Sequence, residues 1–172
     1  MSAGRKNTNT KKDWNTPPKY ILPITEFFEG KIELDPCSNN SSLVIAKNNL
    51  FEHDDGLSKE WNFKSVFVNS PYGRAGGRSI FDWIRKGIDE HEKYKCELIY
   101  LIPVATNTRH FKNLIFKYFS SICFLEDTRL KFYENGIENK KGAPMGCCLV
   151  YLGFDKIKFN KHFSEYGKCF SI

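Results

Sequence analysis

Hydrophobic positions along this chain come in two rhythms that alternate through its middle. Nearly unbroken apolar runs stand at Ile32-Glu33-Leu34, Val66-Phe67-Val68, Leu98 to Ile102, Ser121 to Leu125 and Cys147 to Phe154. Short runs of this kind, bounded by turn residues, predict buried strands. Between them, Ile80, Trp83, Ile84, Gly87, Ile88 and His91 recur at helical spacing behind Ser79, a suitable N-cap, and Phe111, Leu114, Ile115 and Tyr118 do so behind Thr108. Nearer the N-terminus, Tyr20, Ile21, Ile24, Phe27 and Phe28 mark one face of a short helix that follows Pro17-Pro18 and closes at Gly30, with Pro23 an awkward interior residue.

Strand and helix in alternation predict an α/β fold with a mainly parallel sheet and helices on both faces. An antiparallel hairpin toward the C-terminus completes the expected architecture. In open sheets of this kind ligands bind beyond the carboxyl ends of the strands. Two of the predicted strands deliver polar residues at such ends: Asp35-Pro36-Cys37 after the first, and Asn69-Ser70-Pro71-Tyr72-Gly73 after the second. Residues 1–12 are Asn/Thr/Lys-rich without period and are expected to be a flexible basic tail; residues 13–172 are expected to form one domain.

Charge changes the picture modestly. The formal net charge of +6 over 172 residues fits an anionic partner. Arg5, Lys6, Lys11, Lys12 and Lys19 crowd a leading segment whose one acid is Asp13, which makes it either a solvated tail or a phosphate-contacting arm. No apolar stretch approaches the roughly 20 residues a bilayer requires, and the N-terminus is polar, so a cytoplasmic protein without a membrane partner is expected. The six cysteines lack C-x-x-C spacing and the four histidines lack ligand spacing, so neither a metal nor a disulfide framework is expected. Neither a G-x-G-x-x-G nor a Walker loop is present. The tract 155–172 alternates basic and aromatic residues and is expected to pack as a C-terminal extension, and Phe51 beside Leu50 is expected in the core.

Asn69-Ser70-Pro71-Tyr72 resembles the N-P-P-Y motif of amino-group methyltransferases, with serine at the position of the first proline. The resemblance extends in order along the chain from Trp14 to about Phe154: Trp14-Asn15-Thr16-Pro17, Leu34-Asp35-Pro36-Cys37, Asp54-Asp55-Gly56-Leu57 with Trp61, and Asn69-Ser70-Pro71-Tyr72-Gly73. Leu101-Ile102-Pro103-Val104 with Thr106, Thr108 and Phe111, then Arg129-Leu130-Lys131-Phe132 and Ala143-Pro144, continue it. On these motifs the chain resembles the compact, phage-type Dam-like DNA adenine N6-methyltransferases.

The resemblance implies a Rossmann-like methyltransferase fold, S-adenosylmethionine as cofactor and DNA as partner, acting as a monomer or weak homodimer. By that resemblance Asn69 and the Ser70 carbonyl accept hydrogen bonds from the target amino group and Tyr72 stacks on the base, with Pro71 the remaining residue of the catalytic motif. Thr16 and Pro17 lie against the methionine end of the cofactor, Asp35 with Pro36 and Cys37 meets its amino group, and one of Asp54 and Asp55 binds its adenine. Arg74 and Arg78 in the glycine-rich loop, with Lys11 and Lys12, are the candidate DNA contacts. Two alternatives remain at this level: a degenerate DNA-binding homologue, and a methyltransferase acting on RNA adenine or protein glutamine. The chain is expected to lack a separate target-recognition domain, so that site preference falls to the loops near Tyr72 and to residues 128–144.

Overall fold

The computed structural model describes residues 14–73 and 77–172. Among them, seven strands form one sheet: β1 (Ile32–Asp35), β2 (Ala46–Asn49), β3 (Ser65–Val68), β4 (Glu97–Pro103), β5 (Ser121–Leu125), β8 (Cys147–Leu152) and β9 (Gly167–Ser171). Their order is β2-β1-β3-β4-β8-β5-β9, with a separate hairpin of β6 (Tyr133–Glu134) and β7 (Ile137–Glu138). The contacts among β2, β1, β3 and β4 are parallel; β8 runs antiparallel to both β4 and β5, and β9 antiparallel to β5. Thus β5 runs in the direction of β4, and five of the seven strands point the same way. The expected mixed α/β architecture is present. Its antiparallel part is larger than one hairpin, because β8 and β9 flank β5 on either side.

The all-apolar strands follow from burial on both faces. Along β4, Ile99 and Leu101 join the core beneath helices α1 (Pro18–Phe27) and α4 (Lys156–Phe163), while Leu98, Tyr100 and Ile102 join the core beneath α2 (Ile80–Tyr94) and the helical stretch that leads into α3 (Phe116–Tyr118). Close packing of α2 rests on Gly87. A Cβ there would lie 1.8 Å from the Tyr100 hydroxyl, which instead donates to the Trp83 carbonyl at 3.0 Å.

Helix α1 begins where expected, with Pro18 in its first turn, and accommodates Pro23 in its interior. Ser79 opens α2, and the Asp82 carboxylate accepts from its backbone N–H at 2.6 Å. Thr108 also stands at a helix start, but its hydroxyl donates back to the Ala105 carbonyl at 2.6 Å instead of capping. The turn that follows, Phe111–Ile115, is a π-helix, and the residue buried after it is Phe119, with Tyr118 left largely outside. The tract 155–172 packs as expected: α4 buries Phe159 and Phe163, and β9 closes the sheet edge. No helix among the described residues is long and apolar enough to cross a membrane.

Chain order and strand order diverge where β8 inserts between β4 and β5, and again at β1. From β1 the chain moves outward to β2, then returns to the other side of β1 as β3. The carboxyl ends of β1 and β3 therefore form a topological switch point, where two connections leave in opposite directions and open a crevice. Asp35 stands at one tip and Asn69 at the other.

Candidate active site

At the switch point the two strand tips are joined to each other and to the segment preceding α1. Leu34 of β1 pairs with Val66 of β3. The Asn69 side chain reaches the segment preceding α1: Nδ2 donates to the Trp14 carbonyl at 2.8 Å and to the Thr16 hydroxyl at 3.1 Å. A backbone carbonyl only accepts, so the atom facing it must be the amide nitrogen. Both amide protons are then engaged. Oδ1 has no partner among the described residues, and the residue is half-buried, so an acceptor is presented to the crevice in a fixed orientation.

The segment that receives Asn69 is itself held on three sides. Asn15 pairs its backbone with Tyr133 at 2.9 and 3.0 Å. Its buried amide donates to the Ser41 carbonyl and hydroxyl, both at 3.0 Å, and its Oδ1 accepts from Asn39 at 2.6 Å. The adjoining Thr16 and Pro17 are buried. In the sequence Asn15 is only part of a motif; its role as the hub of this network depends on partners more than twenty residues away and has no signature in local periodicity.

Tyr72 has its hydroxyl donating to the Leu101 carbonyl at 3.2 Å, and burial pushes the phenol well above its ordinary pKa. It is a hydrogen-bond donor and not a base. Its ring stands edge-on to Trp14 at 6.0 Å and to Phe132 at 5.7 Å, and those two rings stack at 5.2 Å. Three aromatic side chains from motifs far apart in sequence thus fix one another's planes. Ser70 is 2% exposed and its Oγ has no hydrogen-bond partner among the described residues; Pro71 is exposed.

On the other side of the crevice, the Asp35 carboxylate is 4% exposed and accepts from the Cys37 N–H at 3.1 Å. No cation faces it among the described residues. Burial pushes its pKa up to about 6, against the opposing pull of hydrogen bonds from Cys37 and Ser38.

The loop carrying Asp54 and Asp55 is pressed against this tip by a glycine. A Cβ on Gly56 would lie 1.9 Å from the Pro36 carbonyl oxygen, and the buried Trp61 indole N–H donates to the Gly56 carbonyl at 2.9 Å. Asp54 Oδ2 accepts from the Phe51 N–H at 2.8 Å. Both oxygens of Asp55 are taken by the Arg78 guanidinium, the second at 2.8 Å. Arg78, expected at DNA phosphates, is therefore placed on this carboxylate. Phe51 does not enter the core; it lies half-buried and stacks on His53 at 5.9 Å, because the 3-10 turn Glu52–Asp54 carries it along the surface. Lys11, Lys12 and Arg74 lie outside the described residues, as does the tail 1–12.

The expected catalytic and cofactor residues lie at and beside the carboxyl ends of β1 and β3, with Thr16 tied to Asn69 and the loop of Asp54 and Asp55 pressed against Pro36 through Gly56. No group of three His, Cys, Asp or Glu side chains gathers as a metal site among the described residues. The arrangement offers an amide acceptor, an aromatic wall and a buried carboxylate that no described cation faces. Comparison with known proteins returned no match among curated proteins and none among solved structures. The family model described as DNA N-6-adenine-methyltransferase (Dam) matches residues 4–164, nearly the whole chain. The protein belongs to the Dam family of DNA N6-adenine methyltransferases.

Proposed function

We propose that this chain transfers a methyl group from S-adenosylmethionine to the N6 amino group of adenine in DNA. The observation that carries this reading is the Asn69 amide, whose two N–H groups are consumed by Trp14 and Thr16 so that Oδ1 is left as an oriented acceptor. The lone pair of an adenine amino group is delocalised into the ring and becomes nucleophilic as the nitrogen turns tetrahedral. Hydrogen bonds from that amino group to Asn69 Oδ1 and to the Ser70 carbonyl favour the tetrahedral form. Preorganised acceptors of this kind lower a barrier by a few kcal/mol, roughly 10²–10³ in rate for one group in comparable sites.

The residues present fit the cofactor. Asp35 is a buried carboxylate with no cation among the described residues, suited to the ammonium of the methionine end, and Thr16, Pro17, Pro36 and Cys37 are assigned to the same end of the cofactor. Asp54 is favoured over Asp55 for the adenine amino group, because both Asp55 oxygens are held by Arg78 while Asp54 keeps Oδ1 free of any described partner. When bound, S-adenosylmethionine supplies a methyl carbon activated by its sulfonium and open to direct displacement.

The rest of the work belongs to the protein. Tyr72, with its plane set by Trp14 and Phe132, offers a face against which an extruded base stacks, offsetting part of the roughly few kcal/mol that extrusion costs. The proton released from the amino nitrogen passes to water, since the amide and carbonyl acceptors are too weakly basic to keep it.

Incubation with labelled S-adenosylmethionine and unmethylated DNA, followed by nucleoside mass spectrometry, tests the reading. N6-methyladenine is expected with the wild type, and Asn69→Ala is expected to lower its formation by about 10² or more. Absence of N6-methyladenine, or full activity in Asn69→Ala, would sink it.

A further inference from the structure

The excursion between β5 and β8 occupies the same edge of the sheet as Asn69. β5 runs with β1, β3 and β4, and β8 runs against it, so the chain leaves β5 and enters β8 at the carboxyl edge. The β6–β7 hairpin is the outermost part of this excursion. Its turn, Asn135-Gly136, has both φ angles positive, 52° and 77°, the tight two-residue geometry whose twist matches the flanking strands.

Its root is fixed. Asn139 N–H donates to the Phe132 carbonyl at 2.9 Å, Ala143 N–H to Leu130 at 2.8 Å, and Tyr133 exchanges two backbone hydrogen bonds with Asn15. Asn15 adjoins Thr16, which accepts from Asn69. A short, rigid projection is thereby referenced to the acceptor residue itself.

Beside the turn stands Ile137, 72% exposed. Other side chains are equally exposed, but Ile45 lies just before β2, at the amino edge of the sheet, and Ile157 begins α4. Ile137 alone of these three is on an element of the site's own edge. At the hairpin root a cleft of about 400 Å³ is lined by Trp14, Phe132, Asn139, Lys140, Lys141 and neighbours. Lys131 has Glu138 as an ion-pair partner at 3.5 Å, whereas Lys140 and Lys141 face no acidic partner among the described residues. An apolar tip with two uncompensated lysines behind it matches a nucleic-acid duplex: apolar side chains wedge between base steps and partly unstack them, and lysines neutralise phosphates.

We propose that the β6–β7 hairpin enters the duplex beside the target adenine, Ile137 holding the gap that the extruded base leaves and Lys140 and Lys141 meeting the flanking phosphates. This rests on the reading of the chain as a DNA adenine methyltransferase. A wedge matters where the base must be unpaired and is dispensable where it already is.

The test uses a duplex containing the site the wild type methylates, identified from its own product, and the same duplex with the target adenine mismatched. Ile137→Ser is expected to lose about tenfold or more in kcat/KM on the paired duplex, where unstacking must be supported, and less than about threefold on the mismatched one. Lys140→Ala with Lys141→Ala is expected to flatten the slope of log affinity against log salt by roughly 1.8, two phosphates' worth. Equal kcat/KM of Ile137→Ser and wild type on the paired duplex, or an equal loss on both duplexes, overturns the wedge. A wild type that methylates no DNA overturns the reading beneath it, whatever the hairpin variants do.

Discussion

The two ends of the sheet are stabilised by opposite means. Around β5, β8 and α4, the interior is aromatic: Phe159 stacks on Tyr151 at 5.0 Å, stands edge-on to Phe27 at 5.8 Å and touches Phe163 at 4.7 Å. At the carboxyl edge of β1 and β3, the buried side chains include Asn15, Thr16, Asp35, Ser38 and Ser70. Burying apolar area stabilises a fold in proportion to the area, whereas burying polar groups costs free energy unless hydrogen bonds offset it. The aromatic end therefore holds the molecule together, and the polar edge is a region the rest of the fold supports. Asp35 and Ser70 show the cost openly: among the described residues, one is a carboxylate without a cation and the other a hydroxyl without a partner.

The contrast is broken or sharpened most strongly by Phe159→Ala. It should cost about 3–5 kcal/mol, and at about 2–4 °C per kcal/mol for a chain of this size the midpoint of thermal unfolding should fall by roughly 10 °C. A loss below about 1 kcal/mol would mean that the aromatic end does not carry the stability assigned to it.

Asp35→Asn should act on the other quantity. Removing the charge should weaken S-adenosylmethionine binding by about 2 kcal/mol or more, roughly thirtyfold, measured by calorimetry, without lowering the stability of the free protein. The pH dependence follows from the sign of the shift. Asp35 has a folded pKa raised to about 6 from an ordinary value near 4. Its contribution to the free protein's stability is present in full below the ordinary value and is lost as pH rises through about 6. Binding of a cationic group needs the ionised carboxylate, so affinity should rise as pH climbs through the same range and then level off. Asp35→Asn should flatten both profiles, and profiles that persist in that variant would assign them to another group.

The smallest effect is expected from Ser70→Pro. The Ser70 hydroxyl is buried without a partner among the described residues, a condition that costs about 1–3 kcal/mol. Proline keeps the backbone carbonyl and removes the orphan group, so stability should hold or rise slightly in thermal denaturation, and methyl transfer should match or exceed wild type. Complete loss of transfer would show that the carbonyl does not sit where the mechanism requires it.

Much of this was legible in the chain. The apolar runs became β1, β3, β4, β5 and β8 because strands buried on both faces leave an unbroken signature. β2 has no such signature, because Ala46-Lys47-Asn48-Asn49 is a half-exposed edge strand with no apolar run. The ordered motifs located Thr16, Asp35 and Asn69. They did not reveal that Arg78 is held by Asp55, that Asn15 is a hub, or that Phe51 lies outside the core, because each of these is decided by a neighbour that the local pattern does not name.

The sequence by itself determined the alternation of strand and helix, the polar residues at strand ends, and a family membership carried by motifs in order. Those properties are local: period, turn chemistry and residue identity act within a few positions. Only the tertiary structure decided that β3 returns to the far side of β1, that Asn69 spends its amide on residues 53 and 55 positions earlier, and that the hairpin projects from the same edge. Contacts across such separations come into being only when the sheet closes, and no local period encodes which strand becomes whose neighbour.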